Sequence, residues 1–312
     1  MGALTFDGRL LTNAVLGLAV GDALGMPYET GKRGTFDIRE DTHDGMRGFR
    51  KGMPAWWYES DLPPGTWTDD TAMVLAEMES IARLGRIDLD DLMRSFCRWY
   101  DDGAFTPHGQ AIGAGRRTVA SLERYRSGME PLRCGGAAPE DNGNGSLMRM
   151  LPFVFLPGLM ARSGVTVRDV SAITHAHPIA VKACEIYVDF ARRLMRGEGK
   201  SSAAASLAGH GEPFDRLGSL VTLPEQDILS TGYVVHSLEA ALWSFLTTDS
   251  YEECVLTAVQ LGGDTDTNAA IAGSLAALCY PVPEKWIAQL QGRESILRAC
   301  EALAQSLIGA GL

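Results

Sequence analysis

The chain has no Cys-x-x-Cys pair. Its six cysteines, Cys97, Cys134, Cys184, Cys254, Cys279 and Cys300, are scattered, which argues against a zinc site. A chain of 312 residues can bury a sizeable core and needs no disulfide staples, so a reducing cytoplasm is the simplest expectation. There is also no basic run of five or more residues. With a formal net charge of −11, the surface would repel nucleic acid and anionic membrane alike. No targeting signal is expected either. The apolar stretch from Leu10 to Val20 follows Asp7 and Arg9 and runs into Asp22, with no basic segment before it and no small-residue cleavage site after it. Phe6 breaks the myristoylation pattern. The longest charge-free run lies between Asp266 and Glu284. It carries Asn, Thr, Ser, Gly and two prolines, and reads as a core helix, not a membrane span.

Two-residue alternation of any useful length is missing too, and helical spacing takes its place. Leu11, Ala14, Val15, Leu18 and Ala19 keep a helical period. Further helices are expected over Thr71–Leu84, Asp88–Tyr100, Gln110–Tyr125, Val167–Thr174, Ile179–Met195, Tyr233–Leu246, Tyr251–Leu261, Thr267–Leu278, Glu284–Leu290 and Glu294–Ile308. Helices of moderate length joined by short turns imply a compact all-α bundle, taken as one domain over residues 1–312. Three segments break the pattern: Gly31–Gly65, Cys134–Gly145 and Leu207–Asp227. Loops that long in a compact domain usually carry function. The first, with Trp56 and Trp57, is placed at a cleft mouth where it would choose the target.

Two acidic clusters stand out. Thr68-Asp69-Asp70 opens a helix, and the plainest explanation is that Thr68 caps it while the two acids favour the positive end of its dipole. Gly262-Gly263-Asp264-Thr265-Asp266-Thr267 opens another. Capping accounts for one acid there but not for two acids alternating with hydroxyls behind a Gly-Gly bend. Carboxylates meeting in a buried cleft repel unless cations neutralise them. Donors that are all carboxylate and hydroxyl oxygen select hard ions, Mg²⁺ or Mn²⁺, and two such clamps point to two ions. Glu29, in the turn after the first helix, is a further candidate ligand. Asn142-Gly143-Asn144-Gly145-Ser146-Leu147-Met148 is a glycine-rich turn running into an apolar helix, a natural cradle for phosphate. Thr174-His175-Ala176-His177-Pro178 and Thr231-Gly232-Tyr233 each precede a helix. Their histidines and tyrosine fit packing or capping as readily as ligand contact.

The segments GLAVGDALGMPYE, PGTWTDDTAM, NGSLMRMLP, THAHP, TGYVVHSLEAALW and LGGDTDTNAAIAGSLAAL, in this order from Gly17 to Leu278, resemble the ADP-ribosylglycohydrolase family. The resemblance implies an all-α fold with two Mg²⁺ or Mn²⁺ ions in a central cleft, and release of ADP-ribose from a modified side chain of a protein. It implies metal ligands at Thr68, Asp69, Asp70, Asp264, Asp266 and Thr267, with Glu29 binding metal or gating the site. Asn144, Gly145, Ser146 and Met148 match the ADP-ribose phosphate loop, His175 or His177 the pocket histidine, and Gly232 and Tyr233 the stretch near the distal ribose and adenine. The GTWTDDT form looks closer to arginine-type bacterial members. His236 departs from the family, many of whose members carry Asp there; a local effect on the helix surface is expected.

On this reading water attacks the anomeric carbon, and a carboxylate, Asp70 or Asp266 by preference with Glu29 as a second candidate, takes its proton. The rival reading is a silent ADP-ribose or nucleotide binder, acting as a sensor or immunity partner. The oligomeric state is not legible in the sequence.

Overall fold

The computed structural model describes residues 7–51, 53 and 61–309. Trp56 and Trp57 lie outside the described residues. Among the described residues, nine helices of ten or more residues form the frame: α1 (Gly8–Gly25), α2 (Asp69–Leu84), α3 (Leu89–Asp102), α4 (Arg116–Arg126), α5 (Pro178–Met195), α6 (Val234–Leu246), α7 (Tyr251–Gln260), α8 (Thr265–Ala276) and α9 (Arg293–Gly309). No strand forms among the described residues. Isolated bridges pair Gly136 with His175 and Gly143 with Tyr233.

Local chemistry sets most helix ends. Asp7 starts α1 by accepting from the amides of Arg9 and Leu10. Asp88 does the same for α3 through Asp91, and Ser250 for α7 through Glu253. Gly85 and Gly103 stop α2 and α3 with left-handed backbone, φ +63° at each.

Four expectations need correction. α4 begins only at Arg116 and not at Gln110, because Gly113 (φ +83°) and the extended Gly115 break the helix. No continuous helix runs from Leu147. A 3₁₀ turn, Leu147–Arg149, gives way to the short helix Leu151–Val154, since Pro152 has no amide to continue the ladder and sits instead in the first turn of the new helix. Gly31–Gly65 contains a short helix, Ile38–Asp41, capped by Asp37. Leu207–Asp227 is largely 3₁₀ structure, including Asp215–Thr222.

The organising contact is α1 against α8. Gly17, Gly21 and Gly25 fall one turn apart on the face of α1 that meets α8. A Cβ at Gly21 would lie 2.1 Å from the Ala269 carbonyl oxygen, and one at Gly25 would lie 2.5 Å from Asp266 Cα. A Cβ at Gly273 would in turn lie 2.4 Å from the Gly17 carbonyl oxygen. The two backbones therefore touch without intervening side chains. Thr265 Oγ1 bonds the Gly25 carbonyl at 2.8 Å and the Tyr251 hydroxyl bonds that of Gly17 at 2.6 Å. α8 also packs on α6 and α7, while α2 packs on α3 and α9. One continuous apolar core takes in residues from Leu11 to Leu307. The segment Gly8–Tyr28 is long and apolar enough to cross a membrane by composition, but 83% of its apolar window is buried in the protein, so it is accounted for as a core helix. All six cysteines are unpaired.

Candidate active site

The close approach of α1 to α8 brings the two acidic clusters together, with a third contributor that the sequence reading missed. Asp22, fully buried on α1, points at the start of α2. Its carboxylate accepts from the amides of Thr68 and Thr71, each at 3.0 Å, and from their hydroxyls at 3.0 and 2.6 Å. Asp22 thus caps α2 from another helix. Thr68, expected to cap, makes no capping bond with its side chain. Its hydroxyl lies 3.0 Å from Asp22 and 3.1 Å from Asp70. One hydroxyl proton cannot serve both carboxylates. A signal for Asp22 was available: a charged residue inside an otherwise apolar helix is buried by its position.

At the start of α8, Asp264 also makes no capping bond with its side chain. Its Oδ2 accepts from Asn144 Nδ2 at 2.8 Å instead. Gly262 and Gly263, with φ of +72° and +74°, turn the chain sharply in front of it. The Gly263 carbonyl accepts from the Thr30 amide at 2.7 Å, and the Gly263 amide donates to the Gly31 carbonyl at 2.9 Å. The backbone on the C-terminal side of Glu29 is therefore fastened to the turn before Asp264. Oxygens of Glu29, Asp264 and Asp266 lie within 4.8 Å of one another, and so do those of Asp22, Asp70 and Asp266. Asp266 belongs to both groups.

The electrostatics are one-sided. Burial, then the neighbouring acids, push Asp69, Asp70 and Asp266 well above the usual carboxylate range. Burial also raises Asp22, to about 6, against the four donors that pull it down. Among the described residues, no Lys or Arg bonds or pairs with Asp22, Asp69, Asp70, Asp264 or Asp266, and Asp70 Oδ1 is buried with no hydrogen-bond partner. An isolated buried carboxylate oxygen is costly. Oxygen donors in excess, with no basic side chain among them, fit divalent cations.

A cleft of about 520 Å³ opens onto this cluster. Its lining includes Glu29, Asp69, Asp264, Asp266 and Thr267, then Asn144, Gly145, Met148, His175 and Gly232. Gly113, Gly115, Arg116, Arg117 and Thr118, around the start of α4, complete it together with Glu140 and Gly143. These α4 residues were not anticipated, although two glycines before an arginine pair could have broken the helix on paper. The Asn144 amide donates to the Gly232 carbonyl at 3.1 Å and the Val234 amide to that of Asn142 at 3.0 Å, which fixes the two loops side by side. Not every candidate enters the cleft. The Ser146 hydroxyl turns inward to Cys184 and Ser171. His177 caps α5 by accepting from the Ile179 amide, leaving His175 as the histidine of the cleft wall. Tyr233 stands at the edge, half-buried, 4.9 Å edge-on from the His236 ring. His236 Nδ1 lies 2.8 Å from Thr231 Oγ1, so His236 braces this turn, a local contact at the start of α6.

The sequence signature of the ADP-ribosylglycohydrolase family matches residues 8–311. The chain belongs to that family. It is 30% identical to ADP-ribosylarginine hydrolase Tri1 of Serratia proteamaculans (strain 568), over 93% of this chain and 77% of that one. It is 29% identical to the ADP-ribosyl-[dinitrogen reductase] glycohydrolase of Rhodospirillum rubrum, over 93% and 94%. A solved structure described as an ADP-ribosylglycohydrolase-related protein complex superposes with a TM-score of 0.74 at 32% identity, covering 96% of this chain and 98% of that one. The all-α architecture expected for an ADP-ribosylglycohydrolase is the one found, and its acidic clusters are able to hold metal.

Proposed function

We propose that this ADP-ribosylglycohydrolase removes ADP-ribose from modified arginine on a protein, using two Mg²⁺ or Mn²⁺ ions. The observation that carries the reading is the cluster of buried aspartates with no basic partner among the described residues, ending in the unpartnered Asp70 Oδ1. The name of the Serratia proteamaculans relative supports arginine as the acceptor. Glu29, Thr68, Asp69, Asp70, Asp264, Asp266 and Thr267 would hold the ions, with Asp266 shared between the two groups. Asp22 is assigned to positioning, because its oxygens are already taken up by α2. Bound there, the ions supply charge neutralisation and Lewis acidity.

The protein's own groups do the rest. Asn144 orients Asp264, and the Thr267 hydroxyl lies 3.4 Å from Asp70 Oδ2 as a donor to it. Asp70 or Asp266 takes the proton of the attacking water as the bond between the anomeric carbon and the guanidino nitrogen breaks, through a transition state of oxocarbenium character. The hydroxyl ends on the anomeric carbon, and the departing guanidine takes up the proton. The Gly143–Gly145 loop, Met148 and His175 receive the ADP-ribose. Six free thiols support a reducing compartment, and we place the reaction in the cytoplasm.

The test is release of ADP-ribose from ADP-ribosyl-arginine with Mg²⁺ or Mn²⁺, with and without chelator. Activity lost in chelator and restored by metal is expected. Undiminished turnover in chelator overturns the metal role. Turnover on serine-linked ADP-ribose alone overturns the acceptor. Tight ADP-ribose binding without turnover on any linkage would favour the silent binder.

A further inference from the structure

His175 has one ring nitrogen engaged and the other open. It is 3% exposed. Its Nδ1 lies 3.0 Å from Thr174 Oγ1. That hydroxyl is 2.9 Å from an Arg149 amino group, which also reaches the Val170 carbonyl at 2.8 Å, while the other amino group pairs with Glu77. Both Arg149 and Glu77 are fully buried. A guanidinium can only donate, so the Thr174 oxygen is the acceptor in its bond with Arg149. The hydroxyl proton is left for His175 Nδ1, its one acceptor among the described residues. A neutral imidazole that accepts at Nδ1 carries its hydrogen on Nε2. Nε2 has no partner among the described residues, yet it faces the glycine loop. A Cβ at Gly145 would lie 3.2 Å from it, and one at Gly143 3.8 Å.

We propose that Arg149 and Thr174 are positioning residues that lock His175 as the neutral Nε2–H tautomer, a donor aimed at a phosphoryl oxygen lying over Gly143–Gly145. The ligand half rests on the ADP-ribose reading above; the tautomer half does not. The charged groups that act on the ring agree with a neutral state. Burial depresses its pKa to about 3, Arg149 and Arg117 add to the depression, and Asp141 opposes it. Glycine at 143 and 145 then has a reason that backbone conformation does not supply, since neither φ is positive and a side chain there would fill the space in front of the donor.

Nitrogen NMR of the metal-free protein, labelled with ¹⁵N-histidine, tests the lock directly. The expected result is a His175 ring bare at Nδ1 and protonated at Nε2 from about pH 5 to about pH 8. ADP-ribose should shift the Nε2–H signal. Thr174→Ser should preserve tautomer and affinity. Thr174→Val should mix the tautomers and weaken ADP-ribose binding about tenfold by calorimetry, the worth of one hydrogen bond. A ring protonated at Nδ1 in the wild type overturns the lock, as does Thr174→Val with tautomer and affinity unchanged. An Nε2–H ring in a protein that does not bind ADP-ribose upholds the lock and overturns the ligand.

Discussion

Two groups of buried charge in this molecule are handled in opposite ways, and α2 carries part of both. Near its middle, Glu77 meets Arg149, and each is fully buried. The guanidinium is also bonded to Val170 and Thr174 and lies 5.0 Å over the Phe96 ring. At the first turn of the same helix, Asp69 and Asp70 meet Asp22, Asp264 and Asp266 with no cationic side chain bonded or paired to them among the described residues. The fold can supply a counter-ion where it needs one for structure. Where none is supplied, the acids are able to hold a cation from outside. The pair has its counter-charge within the fold, although Glu77 Oε2 and Arg149 Nε lack hydrogen-bond partners among the described residues; the acid group has no such counter-charge among those residues.

The largest expected effect separates the two by function. Asp70→Asn and Asp266→Asn should each lower kcat by about 10²-fold or more. In the metal-free protein the same Asp70→Asn change should raise stability, on the order of 1 kcal/mol, because it relieves repulsion and brings a donor to the cluster. A drop in the Tm of the metal-free variant would mean that the cluster is already compensated. Next is the closed pair. Arg149→Met strands Glu77 and should cost about 3–5 kcal/mol in denaturant unfolding, with much of that recovered by adding Glu77→Leu. Equal costs for the single and double variants would break the contrast.

Smaller is the effect of metal on wild-type stability. Mg²⁺ or Mn²⁺ at about 100 times its Kd should add roughly 2.7 kcal/mol, and much less in Asp266→Asn. The smallest is the response to pH. In the metal-free protein, Asp22 titrates near 6 and Asp69, Asp70 and Asp266 higher than usual, so the folded state binds protons more tightly than the unfolded chain. Stability of the chelated protein should therefore rise as pH falls through about 6, with the gain complete below the unfolded value of about 3.9. Saturating metal should flatten that rise. A chelated protein that loses stability from pH 7 to about pH 5 would contradict the direction of those shifts.

Helices were legible where an apolar period ran uninterrupted, as in α2, α5 and α7. They were misjudged where glycine or proline acted on the backbone in a way that periodicity does not register, at Gly113 and Pro152. The acids at the starts of α2 and α8 were legible as a set because their spacing exceeds what capping requires. Asp22 was not, since what it does depends on a partner 46 residues away and on an approach that only glycine permits. The inward turn of Ser146 and the commitment of His177 to α5 depend on side-chain direction, which a loop motif does not specify. For Arg149 no local pattern exists: its partners come from α2, from α3 and from Val170 and Thr174 in the segment before α5.

The glycine contact between α1 and α8 also bears on when the protein becomes competent. Thr265 reaches Gly25 across 240 residues of chain, so α1 leaves the ribosome long before the helix it must touch. Until then its glycine stripe has no facing helix, and Asp22, Asp69 and Asp70 form only part of a site. A product truncated before α8 lacks Asp264 and Asp266 and has no shared ligand between the two groups. The full set of acids is thereby assembled only after α8 has been made, late in synthesis.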